Sequence, residues 1–260
     1  MVFDFSFVLV ALASATGLVW GADRWYFAPR RARRGATGEP LLVDYSRSFF
    51  PVIVVVLILR SFLYEPFRIP SDSMMPTLIQ GDFIFVNKWR YGLRLPVVNW
   101  KVLAIGEPAR GDVIVFRKPT EPSLVFIKRL VGLPGDSIRV VGSGVFVNGV
   151  AAPIAAGELY SGPKSEQYPF TLVGEERLGA APHGIMLDPA RPGTEGEWRV
   201  PAGHFFMMGD NRNNSRDSRF AEVGFVPVEN VIGKAEAIWL SFNPGPGPLL
   251  IWKRMGTGIR

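Results

Sequence analysis

Two apolar runs lie close together near the start of the chain. A bilayer constrains a fold severely, because backbone groups inside it must be paired within the protein, so only helices or closed barrels cross. Residues 5 to 22 are uncharged and mostly apolar, about the length of a spanning helix. A cleaved secretory signal opens on a basic region, whereas the only charge before this run is Asp4. Ala13-Ser14-Ala15 looks like a cleavage site, yet the apolar run continues to Trp20. A retained transmembrane helix over residues 1–22 is therefore expected. A second run, Phe49 to Leu59, reaches Tyr64 if Arg60 snorkels to the far interface. It predicts a second transmembrane helix over 49–65, with a buried core segment as the alternative for so short a run.

Between the runs, residues 23–48 hold six arginines (24, 30, 31, 33, 34 and 47) against Asp23, Glu39 and Asp44, a net of +3 out of +6 for the whole chain. The positive-inside rule makes this loop cytoplasmic and puts everything beyond it on the extracytoplasmic side. A mean hydropathy of +0.18 agrees with a membrane protein. The isoelectric point near 9.8 then reflects topology, and no nucleic-acid partner is expected.

Residues 66–260 read as a mainly β domain. Short runs rich in Val, Ile and Phe recur at 82–86, 112–116, 124–131, 137–141, 145–147, 204–208 and 235–242. Gly-Asp pairs at 81–82, 111–112, 135–136 and 209–210, and Asn148-Gly149, mark turns. Helical periodicity is lacking. Residues of about 150–200, rich in Ala, Gly, Pro and Glu, read as an inserted β-rich or irregular subdomain. Leu249 to Trp252 is an apolar patch too short to span.

The chain has no cysteine and only two histidines, His183 and His204. That excludes disulfides, thiolate metal sites and a cysteine nucleophile, and leaves too few histidines for a three-histidine zinc site. No metal or cofactor is expected, and a hydrolase on this chain has two histidines or some other residue to serve as its base. Both histidines read as structural.

Three segments carry candidate chemistry. In Arg68-Ile69-Pro70-Ser71-Asp72-Ser73-Met74-Met75-Pro76-Thr77-Leu78, two serines at i and i+2 of an extended stretch point the same way, so one could attack while the other binds an oxyanion. Lys128 interrupts the apolar run Leu124 to Val131, where burial would favour the neutral amine, and Arg129 must face the other way. The polar stretch Met208 to Arg219 could place hydroxyls and an Asp–Arg pair beside a site. Each segment alone also reads as ordinary loop or half-exposed strand.

Together, S-x-S-M-M-P-T-L after an apolar anchor, G-D-V-I-V-F, I-K-R-L-V-G-L-P-G-D and G-D-N-R-x-N-S-x-D-S-R resemble the motif set of the bacterial type I signal peptidases. The resemblance implies two membrane helices followed by an extracytoplasmic all-β catalytic domain, anchored in the bacterial cytoplasmic membrane. It implies a serine endopeptidase that removes signal peptides from exported preproteins after Ala-x-Ala-type sites, with the bilayer and those preproteins as partners. By motif position Ser73 is the nucleophile and Lys128 the general base. Ser71 and the Ser73 amide form the oxyanion hole, Ser215 orients the lysine, and Asp217 and Arg219 pair to hold the last motif. Phe67, Ile69, Met74, Leu78, Ile84, Val115, Phe126 and Ile127 occupy substrate-pocket positions. Two residues depart from the usual pattern: Asp72 stands where glycine is frequent, and Asn213 where aspartate is common. The rival readings are a non-enzymatic membrane-tethered β domain that binds a partner, and a soluble nucleic-acid-binding protein. The ordered motifs speak against the first, and the two apolar runs against the second.

Overall fold

The computed structural model describes residues 5–35, 38–94, 101–103, 105–191, 193–243, 245 and 248–260. The part of the expected first span before Phe5 lies outside them. The chain divides into two compact units, residues 1–64 with 92–105 and residues 65–91 with 106–260.

In the first unit, a helix over Phe5–Ala22 runs through a π-helical turn at Asp23–Phe27 into a short helix, Ala28–Arg33. A second helix covers Leu41–Ile58 and ends in a π-helical turn at Leu59–Leu63. Phe7–Arg33 and Leu41–Ser61 are each long and apolar enough to cross a membrane. Much of the segment 23–48, expected as a loop, is thus helical. Alanine and arginine are strong helix formers, and Arg31 clamps both carboxylate oxygens of Asp23 two turns back. The two long helices pack where Gly17 meets Phe50. A Cβ on Gly17 would lie 2.7 Å from the Phe50 ring, so a larger residue here would push that ring aside.

The second unit is built on an eight-stranded sheet. Its strands follow the order Tyr64–Arg68, Asp82–Asn87, Val231–Ser241, Val113–Lys118, Glu121–Gly132, His204–Met208 and Val226–Pro227, with Thr257–Gly258 also paired to Val231–Ser241. Alternation along the strands loads both faces. Val113, Val115 and Ile127 join one apolar cluster, and Ile114, Phe116 and Leu130 another.

Three Gly-Asp pairs build the same turn. The amides of Asp82, Asp112 and Asp136 donate to the carbonyls of Ile79, Ala109 and Leu133, three residues back. Gly81, Gly111 and Gly135 have φ of 99°, 92° and 89°, as the third residue of a type II turn requires. Each aspartate carboxylate then accepts the amide of the residue that opens its turn. Asn148 and Gly149, with φ of 53° and 81°, make a two-residue hairpin turn between Val147 and Val150.

The segment near 150–200 is β-rich. Ile154–Leu159, Leu172–Glu176 and His183–Leu187 form a three-stranded antiparallel sheet. Gly196–Arg199 pairs with Ser137–Val141 in a further four-stranded sheet. Met186 also bridges to Asn211, which ties the segment to the last motif.

Candidate active site

Ser71 to Leu78 fold as consecutive turns, where the sequence suggested extended chain. The Met75 amide donates to the Asp72 carbonyl at 3.1 Å, and the Leu78 amide to the Met74 carbonyl at 2.9 Å. Asn211 fixes the turn from outside: its amide donates to the Ser73 carbonyl, and its Nδ2 to the Asp72 carbonyl, each at 3.1 Å. The turn keeps the hydroxyls of Ser71 and Ser73 on one side, 3.4 Å apart.

Lys128 stands opposite Ile114 in the sheet and reaches the turn with its amine. Its Nζ lies 2.5 Å from Ser73 Oγ, although 55 residues separate them in sequence. Lys128 is 4 % exposed and Ser73 8 %, so water does not screen this contact. Burial lowers the Lys128 pKa to about 8, against the opposing pull of the Asp217 and Asp210 carboxylates and with help from Arg219. The Phe126 ring, two residues earlier on the same strand, is 5.5 Å from the amine.

Buried ion pairs fasten the surrounding segments. Arg219 makes two 2.8 Å hydrogen bonds to Asp217, whose carboxylate also accepts the Gly209 amide at 2.9 Å. Arg129, on the opposite face from Lys128, donates to Asp210 at 2.7 and 2.6 Å, and Thr77 donates to the same carboxylate. The nucleophile turn, the lysine strand and the last motif thereby share one buried acid. Arg212 pairs with Glu176, both fully enclosed, and His183 Nε2 lies 3.2 Å from Glu176 Oε2. Burial pushes the Glu176 pKa up, but Arg212 and then His183 outweigh it and bring it to about 2.

Ser215 Oγ is buried and has no hydrogen-bond partner among the described residues. Gly209 separates it from the nucleophile turn. A Cβ at 209 would sit 2.2 Å from Ser215 Oγ and 2.5 Å from the Ser73 carbonyl oxygen. Asn213 accepts the Asp188 amide at its Oδ1 and donates to the Arg191 carbonyl through Nδ2. A carboxylate could not make the second bond, which accounts for asparagine here.

Of the eight expected pocket residues, Ile69, Met74, Leu78, Ile84, Val115 and Ile127 share one buried cluster, and Phe67 packs on it half-buried. Phe126 packs instead with the cluster around Phe116, its ring 6.2 Å from the Phe116 ring. Sequence reasoning missed Asp210, Arg129 and Glu176 as parts of this assembly. A charged residue inside an apolar strand demands a buried counter-ion, and that was the signal available for Arg129.

A serine hydroxyl thus lies against a buried amine whose pKa burial lowers. Residues 42–240 match the family model described as signal peptidase, peptidase S26, and the chain belongs to that family of serine endopeptidases. It is 45 % identical to signal peptidase I of Pseudomonas fluorescens over 93 % of this chain and 94 % of that one. It is likewise 45 % identical to signal peptidase I of Pseudomonas aeruginosa, over 99 % of both chains. A crystal structure of a signal peptidase I from Enterococcus faecalis is 28 % identical, covering 50 % of this chain and 98 % of its own at a TM-score of 0.32, too loose a match to bear on the fold.

Proposed function

We propose that the protein is a membrane-anchored endopeptidase that removes amino-terminal signal peptides from exported preproteins, with Ser73 as nucleophile and Lys128 as general base. The observation that carries this reading is the 2.5 Å approach of the buried Lys128 amine to Ser73 Oγ. Neutral Lys128 takes the Ser73 proton as Oγ attacks the scissile carbonyl. The Ser71 hydroxyl and the Ser73 amide stabilise the oxyanion. Lys128 then gives its proton to the leaving amine, and the acyl ester is hydrolysed by a water that the same amine deprotonates. Ser215, whose buried hydroxyl has no partner among the described residues, supplies an acceptor for the ammonium that forms, while Asp217 and Arg219 hold its segment.

Specificity for small residues of the Ala-x-Ala type falls to the apolar set around the site. Phe67 and Phe126 are its accessible members, and Ile69, Met74, Leu78, Ile84, Val115 and Ile127 are the packed floor. The two apolar helices anchor the enzyme in the bacterial cytoplasmic membrane, and the β unit works on the extracytoplasmic side, where cleavage sites emerge. Both Ser73→Ala and Lys128→Met, assayed in detergent micelles on a preprotein with an Ala-x-Ala site, are expected to abolish cleavage. Wild-type turnover by either would refute the reading.

A further inference from the structure

Asp72 puts a carboxylate between the two serines proposed to hold the nucleophile and the oxyanion. A negative charge at that point of the turn opposes the charge that develops on the tetrahedral intermediate. The structure surrounds it with donors. Lys164 Nζ lies 3.0 and 2.8 Å from the two Asp72 oxygens and 2.7 Å from Gln80 Oε1. Tyr168 donates its hydroxyl to Asp72 Oδ2 at 3.2 Å, and the Gln80 amide approaches Oδ1 at 3.4 Å. Asn214, in the last motif, donates to the Tyr168 oxygen at 3.3 Å.

The pair is enclosed, with side-chain exposures of 7 % for Lys164 and 15 % for Asp72, so it is little screened by solvent. Lys164 also has φ of 62° and ψ of 21°, a left-handed conformation that residues with a side chain adopt only at a cost. The backbone holds that conformation while the ammonium meets three acceptors at once, as expected of a residue placed for its contact. Lys164 and Tyr168 lie in the segment near 150–200, which carries none of the recognised motifs.

We propose that Lys164 is a positioning residue for the peptidase reaction: it neutralises Asp72, so that the nucleophile turn presents its oxyanion donors without an opposing charge. The inference rests on the Ser73 reading above. The cation that compensates Asp72 comes from a separate segment of the chain.

The test measures kcat and KM for the full-length protein in detergent micelles on a signal-peptide-bearing preprotein. Lys164→Met is expected to lower kcat by about tenfold or more, with KM within about twofold, because the unpaired carboxylate acts on the transition state. Asp72→Asn is expected to stay within about threefold of wild type, and Asp72→Asn combined with Lys164→Met to recover to the same level. Recovery in the double variant shows that the uncompensated charge causes the loss, and the fall in kcat at unchanged KM, with an unchanged melting temperature for Lys164→Met, separates an effect on the transition state from a purely structural contact. Wild-type kcat in Lys164→Met, or a double variant that remains impaired or unfolded, overturns the proposal. A Ser73→Ala control separates the two levels: if it still cleaves, the Ser73 reading fails, and if it is inactive, the Lys164 series judges this inference alone.

Discussion

Replacing Lys128 with methionine should make the protein more stable while it destroys the base. Burial holds the Lys128 amine at about 8, whereas an ordinary lysine titrates at 10.5. Each unit corresponds to about 1.4 kcal/mol, so retaining Lys128 costs the fold about 3 kcal/mol at pH 7. Its folded value is depressed, so the unfolded chain binds the proton better between the two values. Stability therefore rises as pH climbs from about 8 towards 10.5, and the penalty is complete only below 8. Methionine fills a similar length without the charge and forfeits the contact with Ser73, worth about 1 kcal/mol. The net gain at pH 7 is about 2 kcal/mol, roughly 4–8 °C in Tm for a unit of this size. By pH 10 less than about 1 kcal/mol of the penalty remains, and the lost hydrogen bond offsets it. Thermal unfolding of both proteins in the same detergent at pH 7 and pH 10 reads this directly. A variant that melts lower than wild type at pH 7, or a difference equal at both pH values, would refute the reasoning.

Glu176→Gln leaves Arg212 buried without its counter-charge and should cost about 3 kcal/mol at pH 7. Because the Glu176 pKa is depressed from 4.5 to about 2, its contribution is present above 4.5 and fades as pH falls, so wild type and variant should converge in unfolding experiments near pH 2. Gly209→Ala forces a methyl group between Ser215 and the Ser73 carbonyl and should lower kcat at least tenfold, with a stability loss of about 1–3 kcal/mol; steady-state kinetics alongside melting checks both, and an unaltered kcat would deny that close approach a role.

Local codes were the legible part of this chain. Three of the four Gly-Asp pairs, the Asn-Gly turn and the Val- and Ile-rich strands depend on near neighbours and reappear at the expected places in the sheets, whereas Gly209-Asp210, expected as a fourth such turn, continues from the strand His204–Met208 without one. The serine pair and Lys128 were legible as motifs, and the fold brings Ser73 Oγ to 2.5 Å from the Lys128 amine. What the sequence hid was partnership at a distance. Arg129 and Asp210 are 81 positions apart, and Asp72 and Lys164 are 92 apart, so no window of sequence holds both members. Asp210 was visible only as a turn residue, although it is the acid shared by Arg129 and Thr77. The strands at 154–159, 172–176 and 183–187 contain glycine, alanine and glutamate, residues of low β-propensity, and pairing with one another supplies what propensity does not. Helical structure at 23–33 and from Leu41 was obscured because a positive charge cluster reads equally well as loop.

In the proposed mechanism a neutral Lys128 activates Ser73. The pH dependence of kcat/KM for cleavage of a signal-peptide-bearing preprotein tests it most directly, since that profile reports the free enzyme's base. The expected profile rises about tenfold per pH unit below a midpoint at about 8, where burial holds the amine, and is level above it. A profile flat from pH 6 to 10, or one still climbing towards the 10.5 of an exposed lysine, would contradict it.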